Sequence, residues 1–149
     1  MAATSIYSVK AALLTLLQAD STLSSIQVTF GDPGGAVRRE HIFLGDVHSS
    51  GQDPESLATG RRRRVESYLL DVVVSVQSKP QGLQENEQRA VTLASAVENV
   101  VADYPTLNDT VDGLMFIECS GMSVSSNEAG ADGPHSQITV HFQVKSRLS

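Results

Sequence analysis

Near the C-terminal end of the chain, in "SQITVHFQVKSRL" (136–148), Ile138, Val140, Phe142 and Val144 alternate with Gln137, Thr139, His141, Gln143 and Lys145. Period two over that length puts apolar groups on one side of an extended backbone and polar groups on the other. The fold must therefore supply a sheet with one face in the core and the other turned to water or to a partner.

The preceding segment "GLMFIECSGMSV" (113–124) reaches this strand across "SSNEAGADGPH", which is rich in turn residues, so the last third reads as a hairpin. A longer strand runs from Val65 to Ser78. Tyr68, Leu70, Val72, Val74 and Val76 share one of its faces, and Leu69 and Val73 put apolar groups on the other. A strand of that kind belongs in the middle of a sheet, with something packed on each side. Two shorter strands come earlier, in "SIQVTF" (25–30) and "HIFLGDV" (41–47), separated by a turn at "GDPGG". From His48 to Arg64 there is no periodicity, and Gly51, Asp53, Pro54 and Gly60 interrupt any element, which predicts a long loop.

Two stretches have helical spacing. Ile6, Val9, Leu13, Leu16 and Leu17 predict a helix from Ile6 to Ala19 with Ser5 as its N-cap. After a turn at "KPQG" (79–82), Ala90, Val91, Ala94, Val97, Val101 and Tyr104 form the stripe of a second helix, about 84–103, with acids near its positive N-terminus and Pro105 as its stop. The order α-β-β-β-α-β-β predicts one α+β domain over 1–149, with a mainly antiparallel sheet, two helices on one face, and the long loop 48–64 between the second and third strands. A chain of 149 residues can bury roughly two-thirds of its unfolded surface. With aromatics at 5% and no Trp, the core must be aliphatic.

Chemistry is hard to find. No G-x-S-x-G, Walker, G-x-G-x-x-G or H-E-x-x-H pattern is present, and "GDPGG" lacks the Lys-Ser/Thr of a phosphate loop. Cys119 is the only cysteine, which excludes an internal disulfide and a cysteine-based zinc site; no histidine lies near it in sequence to make a thiolate. His41, His48, His135 and His141 show neither i, i+2 nor i, i+4 spacing and read as surface histidines; His41, beside Glu40 and an arginine pair, is also a candidate for an interface. Asp71 is the one acid among apolar neighbours. It either faces a ring partner or pairs with an arginine, and no second catalytic group accompanies it. The expectation is no catalytic residue, no metal and no cofactor. The N-terminal segment lacks a signal peptide's basic region and cleavage site, and no run reaches the ~18 apolar residues of a membrane span, so a soluble, cytoplasmic product with no membrane partner is expected.

One cluster stands out. Arg61, Arg62, Arg63 and Arg64 are consecutive at the doorway of the long strand, and Arg38 and Arg39 form a second pair, in a chain of net charge -6. The overall charge argues against a general nucleic-acid-binding domain. Four adjacent guanidinium groups repel one another and do little for an isolated domain. A contact with an acidic protein surface or with DNA phosphates, multiplied around the axis of an oligomer, uses them better than a solvated loop edge does.

The order of elements and several segments resemble the tail terminator (tail completion, or minor tail) proteins of long-tailed bacteriophages. The resemblance rests on "VKAALLTLLQAD", "STLSSIQVTFGDPGG", "RRRRVESYLLDVVVSVQS", "RAVTLASAVENVVADYP" and "SQITVHFQVKSRL" and covers most of the chain. It implies a hexameric ring on the head-proximal end of the tail tube that stops tube polymerisation and presents a surface to the head connector, with DNA passing through its lumen. The implied partners are further copies of the chain, the tail tube protein and the head connector protein; the implied location is the virion, and the host cytoplasm during assembly. Small α+β folds of this type also occur in head–tail joining and tail tube proteins.

Overall fold

A computed structural model describes residues 4–32, 39–54, 64–77, 82–127 and 133–148, with side chains throughout except at 49, 50 and 52–54. Helix α1 (Ile6–Ala19) leads into β1 (Gln27–Thr29), β2 (Glu40–Pro54) and β3 (Arg64–Gln77); α2 (Leu83–Asp103) follows, then β4 (Leu114–Asn127) and β5 (His135–Leu148). The strands make one sheet in the order β1-β2-β3-β5-β4, with β3 at its centre. Every neighbouring pair is antiparallel except β1 and β2, which run parallel.

The helices pack on one face. Val9, Leu13 and Leu17 of α1 join Ala90, Leu93, Ala94, Val97, Val100 and Val101 of α2 in a single core with Ile42 and Leu44 of β2, Tyr68, Leu70, Val72, Val74 and Val76 of β3, and Ile138, Val140, Phe142 and Val144 of β5. The alternation in the last strand thus has the cause it implied. The α2 stripe is rotated from the expected one: Leu93 and Val100 are buried, whereas Val91 and Tyr104 are 46% and 42% exposed. The sheet takes the side of the helix that holds the small Ala90 and Ala94, and Val91 lies off it.

Three expectations are corrected by local physics. First, residues 48–54 are strand, not loop, because β2 stays paired with β3 as far as Pro54 opposite Arg64. Its register shifts between Leu44 and Val47 and again between His48 and Gly51. Each extra residue reverses the inside–outside phase, so a continuous strand loses its period two in sequence. Of the expected loop, only 55–63 falls between strands, and it lies outside the described residues, as do most of the expected turns at 31–35 and 79–82.

Second, β3 is central and both helices lie on one face of the sheet, as expected, but that leaves β3 without the helix packing expected on its other side. Among the described residues no helix covers the other face, and Val73 there is shielded within the sheet opposite Phe43.

Third, Ser5 does not cap α1 with its side chain. Its N–H and hydroxyl donate instead to the buried Glu66 carboxylate, at 2.8 and 2.9 Å. Tyr68 and Ser146 hydroxyls stand 3.0 and 2.7 Å from Ser5 Oγ. A hydroxyl donates once and accepts twice, so Ser5 gives its proton to Glu66 and receives from Tyr68 and Ser146. Burial pushes the Tyr68 phenol up to about 12; the Ser5 hydrogen bond offsets part of the rise and the Glu66 charge adds to it. This polar knot fixes the start of α1 to β3 and β5.

Gly113 is needed where it stands. Its φ is +82°, and a Cβ would lie 2.2 Å from the Arg147 carbonyl oxygen. The close approach lets Arg147 N–H donate to Gly113 O at 2.8 Å and opens the β4–β5 hairpin.

Candidate functional site

The sheet register decides where the singled-out arginines go. Arg64 is exposed at the first position of β3, opposite Leu148. Arg39 is exposed just before β2, and its carbonyl accepts from Gln77, the last residue of β3. Thirteen strand steps at about 3.3 Å separate these ends, on the order of 40 Å. Arg39 and Arg64 therefore do not share one patch. Arg38, Arg61, Arg62 and Arg63 lie outside the described residues.

The Arg64 end has basic neighbours on β5, with Arg147 opposite Val65 and Lys145 opposite Ser67. The helical layer has the opposite sign: α2 carries Glu85, Glu87, Glu98 and Asp103 against one base, Arg89. That base is engaged by Glu40 of β2, with Arg89 Nε donating at 2.5 Å, and this hydrogen bond holds the guanidinium above its ordinary range. Three bases thus stand at one end of the sheet, beside Asp53 and the buried Glu66, while the surface of α2 is acidic.

The helix-free face holds a cluster that sequence spacing could not find. Asp71 Oδ1 lies 2.6 Å from His141 Nδ1 and 3.1 Å from His48 Nε2. The groups come from β3, β5 and β2. Asp71 is directly opposite His141, and the bulged part of β2 sets His48 opposite Leu69. Among the described residues, Asp71 therefore pairs with two histidines and with no arginine. The remaining nitrogen of His141, Nε2, is 3.1 Å from Ser123 Oγ on β4. Of the four histidines only His41 departs from the surface reading by burial. His41 is buried and stacked on Phe43, with centroids 5.6 Å apart, and His135 Nε2 lies 2.7 Å from Ser75 Oγ at the start of β5.

Ser123, His141 and Asp71 have the connectivity of a nucleophile, base and orienting acid. Catalysis would also need a pocket for substrate beside the serine. A cleft of about 400 Å³ between α1 and the turn at Leu107–Asp109 is lined by residues such as Ala12, Leu16 and Asn108 and holds no titratable group. A groove of about 620 Å³ at the sheet's β1–β2 side includes Lys10, Phe30, Asp46 and Asp71 but neither Ser123 nor His141. A third, of about 490 Å³ along α2, is lined by Asp20, Thr92, Asn99 and their neighbours. Ser123 lies on the edge strand and lines none of these three clefts.

Among the described residues no helix is long and apolar enough to cross a membrane.

The architecture is a two-layer α+β fold in which a mixed, mainly antiparallel sheet has both helices on one face. It is similar to a chain in the structure of the virion of a native gene transfer agent (GTA) particle, with a TM-score of 0.64 and 16% sequence identity over 98% of this chain and 99% of that one. At that identity the likeness is one of fold. No family model matches the sequence, and no curated protein matches it.

Proposed function

We propose that this chain is a structural virion protein, and specifically a ring-forming tail terminator that caps the head-proximal end of a phage tail tube, stops its polymerisation and offers the head a surface for attachment. The observation that carries the proposal is the fold likeness, along nearly the whole of both chains, to a chain of a virion particle. The resemblance of the sequence to tail terminator proteins narrows it.

The charge distribution supports assembly from copies. The bases Arg64, Lys145 and Arg147 at one end of the sheet and the acids of α2 are of opposite sign, and a contact between unlike surfaces of identical subunits closes into a ring when the rotation allows it. In this reading Arg61, Arg62, Arg63 and Arg64 act with these bases and contact a neighbouring subunit or the tube. Arg38 and Arg39 are assigned to a separate contact in this reading, because Arg39 stands at the end of β3 opposite Arg64. The work is done by fitting surfaces together, with no bond made or broken.

Replacing Arg61–Arg64 together with Ala tests the assignment. Thermal melting is expected to stay within a few degrees of the parent, because four adjacent like charges do little for the fold of an isolated domain, while capping of tail tubes falls. Unimpaired capping by the variant would overturn the arginine contact. A parent chain that stays monomeric and leaves tubes uncapped would overturn the terminator itself, and a salt-sensitive DNA complex from that monomer would point to nucleic-acid binding.

A further inference from the structure

The geometry points to a binding site for a divalent transition-metal ion, held by His48 Nε2, Asp71 Oδ1 and His141 Nδ1 on the helix-free face of the sheet. The three donor atoms lie within 4.8 Å of one another. A tetrahedral ion with bonds of about 2.0–2.2 Å needs its donors roughly 3.3–3.6 Å apart. Asp71 Oδ1 is already 2.6 and 3.1 Å from the two nitrogens, so small side-chain rotations open the space. The imidazole rings stand edge to face, at 88° with centroids 6.2 Å apart, and both aim a nitrogen at the same carboxylate oxygen.

The scaffold favours this use. The donors sit on three adjacent strands whose pairing fixes their positions, with His141 directly opposite Asp71. Ser123 Oγ lies at hydrogen-bonding distance from the second nitrogen of His141, the outer contact that a metal-ligating imidazole needs for its orientation. Two imidazoles and a carboxylate are the donor set of first-row divalent ions such as Zn²⁺, Co²⁺ or Fe²⁺. The side chains of His48, Asp71 and His141 are 45%, 16% and 28% exposed, which leaves coordination positions open to water or to a ligand from a neighbouring molecule. Bound there, an ion would tie β2, β3 and β5 together across the face that no helix covers. This site stands independently of any ring.

The test is titration of tag-free, full-length protein with Zn²⁺ against a chromophoric chelator, and with Co²⁺ by visible absorption. One Zn²⁺ per chain and a tetrahedral-type cobalt spectrum are expected. H48A, D71A and H141A should each weaken Zn²⁺ binding by at least about tenfold, and H135A should leave it unchanged. Because substitutions at Asp71 and His141 touch central strands, H48A, at the most exposed of the three, keeps the test decisive; Zn²⁺ should raise the melting temperature of the parent and of H135A but not of H48A. Equal affinity in the parent and H48A, each with its fold confirmed by circular dichroism, would overturn the site.

Discussion

The two faces of the sheet are built on the same backbone and carry different kinds of information. On the helix side, apart from the polar knot at Ser5 and the buried Asn86, each buried group answers to one requirement, removal of apolar surface from water, and any well-packed aliphatic residue meets it. On the other side, Asp71, His48, His141 and Ser123 answer to one another at particular distances. The first face is a property of composition and period. The second is a property of register.

The sharpest contrast between the faces comes from adjacent residues on β5. Phe142 is fully buried and His141 is on the open side. Phe142→Ala should cost about 3–5 kcal/mol, whereas Gln143→Ala, at an exposed position, should stay within about 0.5 kcal/mol. Denaturant unfolding checks both, and comparable losses would erase the distinction between a packed and an open face.

Tyr68 shows that the covered face tolerates a polar group only in one protonation state. Its folded pKa of about 12 exceeds the unfolded value near 10, so the native state keeps a proton that the unfolded chain has lost. The contribution is complete below pH 10 and is lost as pH rises through 10 towards 12, with a slope of up to about 1.4 kcal/mol per pH unit. Unfolding of the parent and of Tyr68→Phe across that window should show this extra slope in the parent alone.

A smaller effect is expected at Asn86. It is fully buried in the first turns of α2, and among the described residues neither polar atom of its side chain has a hydrogen-bond partner. An apolar residue of similar size avoids that desolvation, so Asn86→Leu should raise stability by about 1 kcal/mol; a loss would mean that the amide serves a contact made only in assembly.

The contrast between the faces also explains what could be read from the sequence. The bounds of α1, the central place of β3 and the inward set of β5 follow from periodicity alone, because one strong gradient of polarity determined them. The second half of β2 was lost because two bulges break its phase. Ser5 looked like a cap because the sequence gives no sign that Glu66, 61 residues away, would be buried beside it. The histidine–aspartate cluster spans 23 residues on one side and 70 on the other, and its members meet only because β3 lies between β2 and β5. Spacing rules search along an element. These groups converge across three. Of the candidate arginines, only the positions of Arg39 and Arg64 can be compared, and they proved to mark opposite ends of a strand.

Electron microscopy of the purified chain, alone and mixed with tail tubes, addresses the central claim most directly. Closed rings, free or seated on one end of each tube, are the predicted images. Solitary particles beside tubes that keep growing would contradict it.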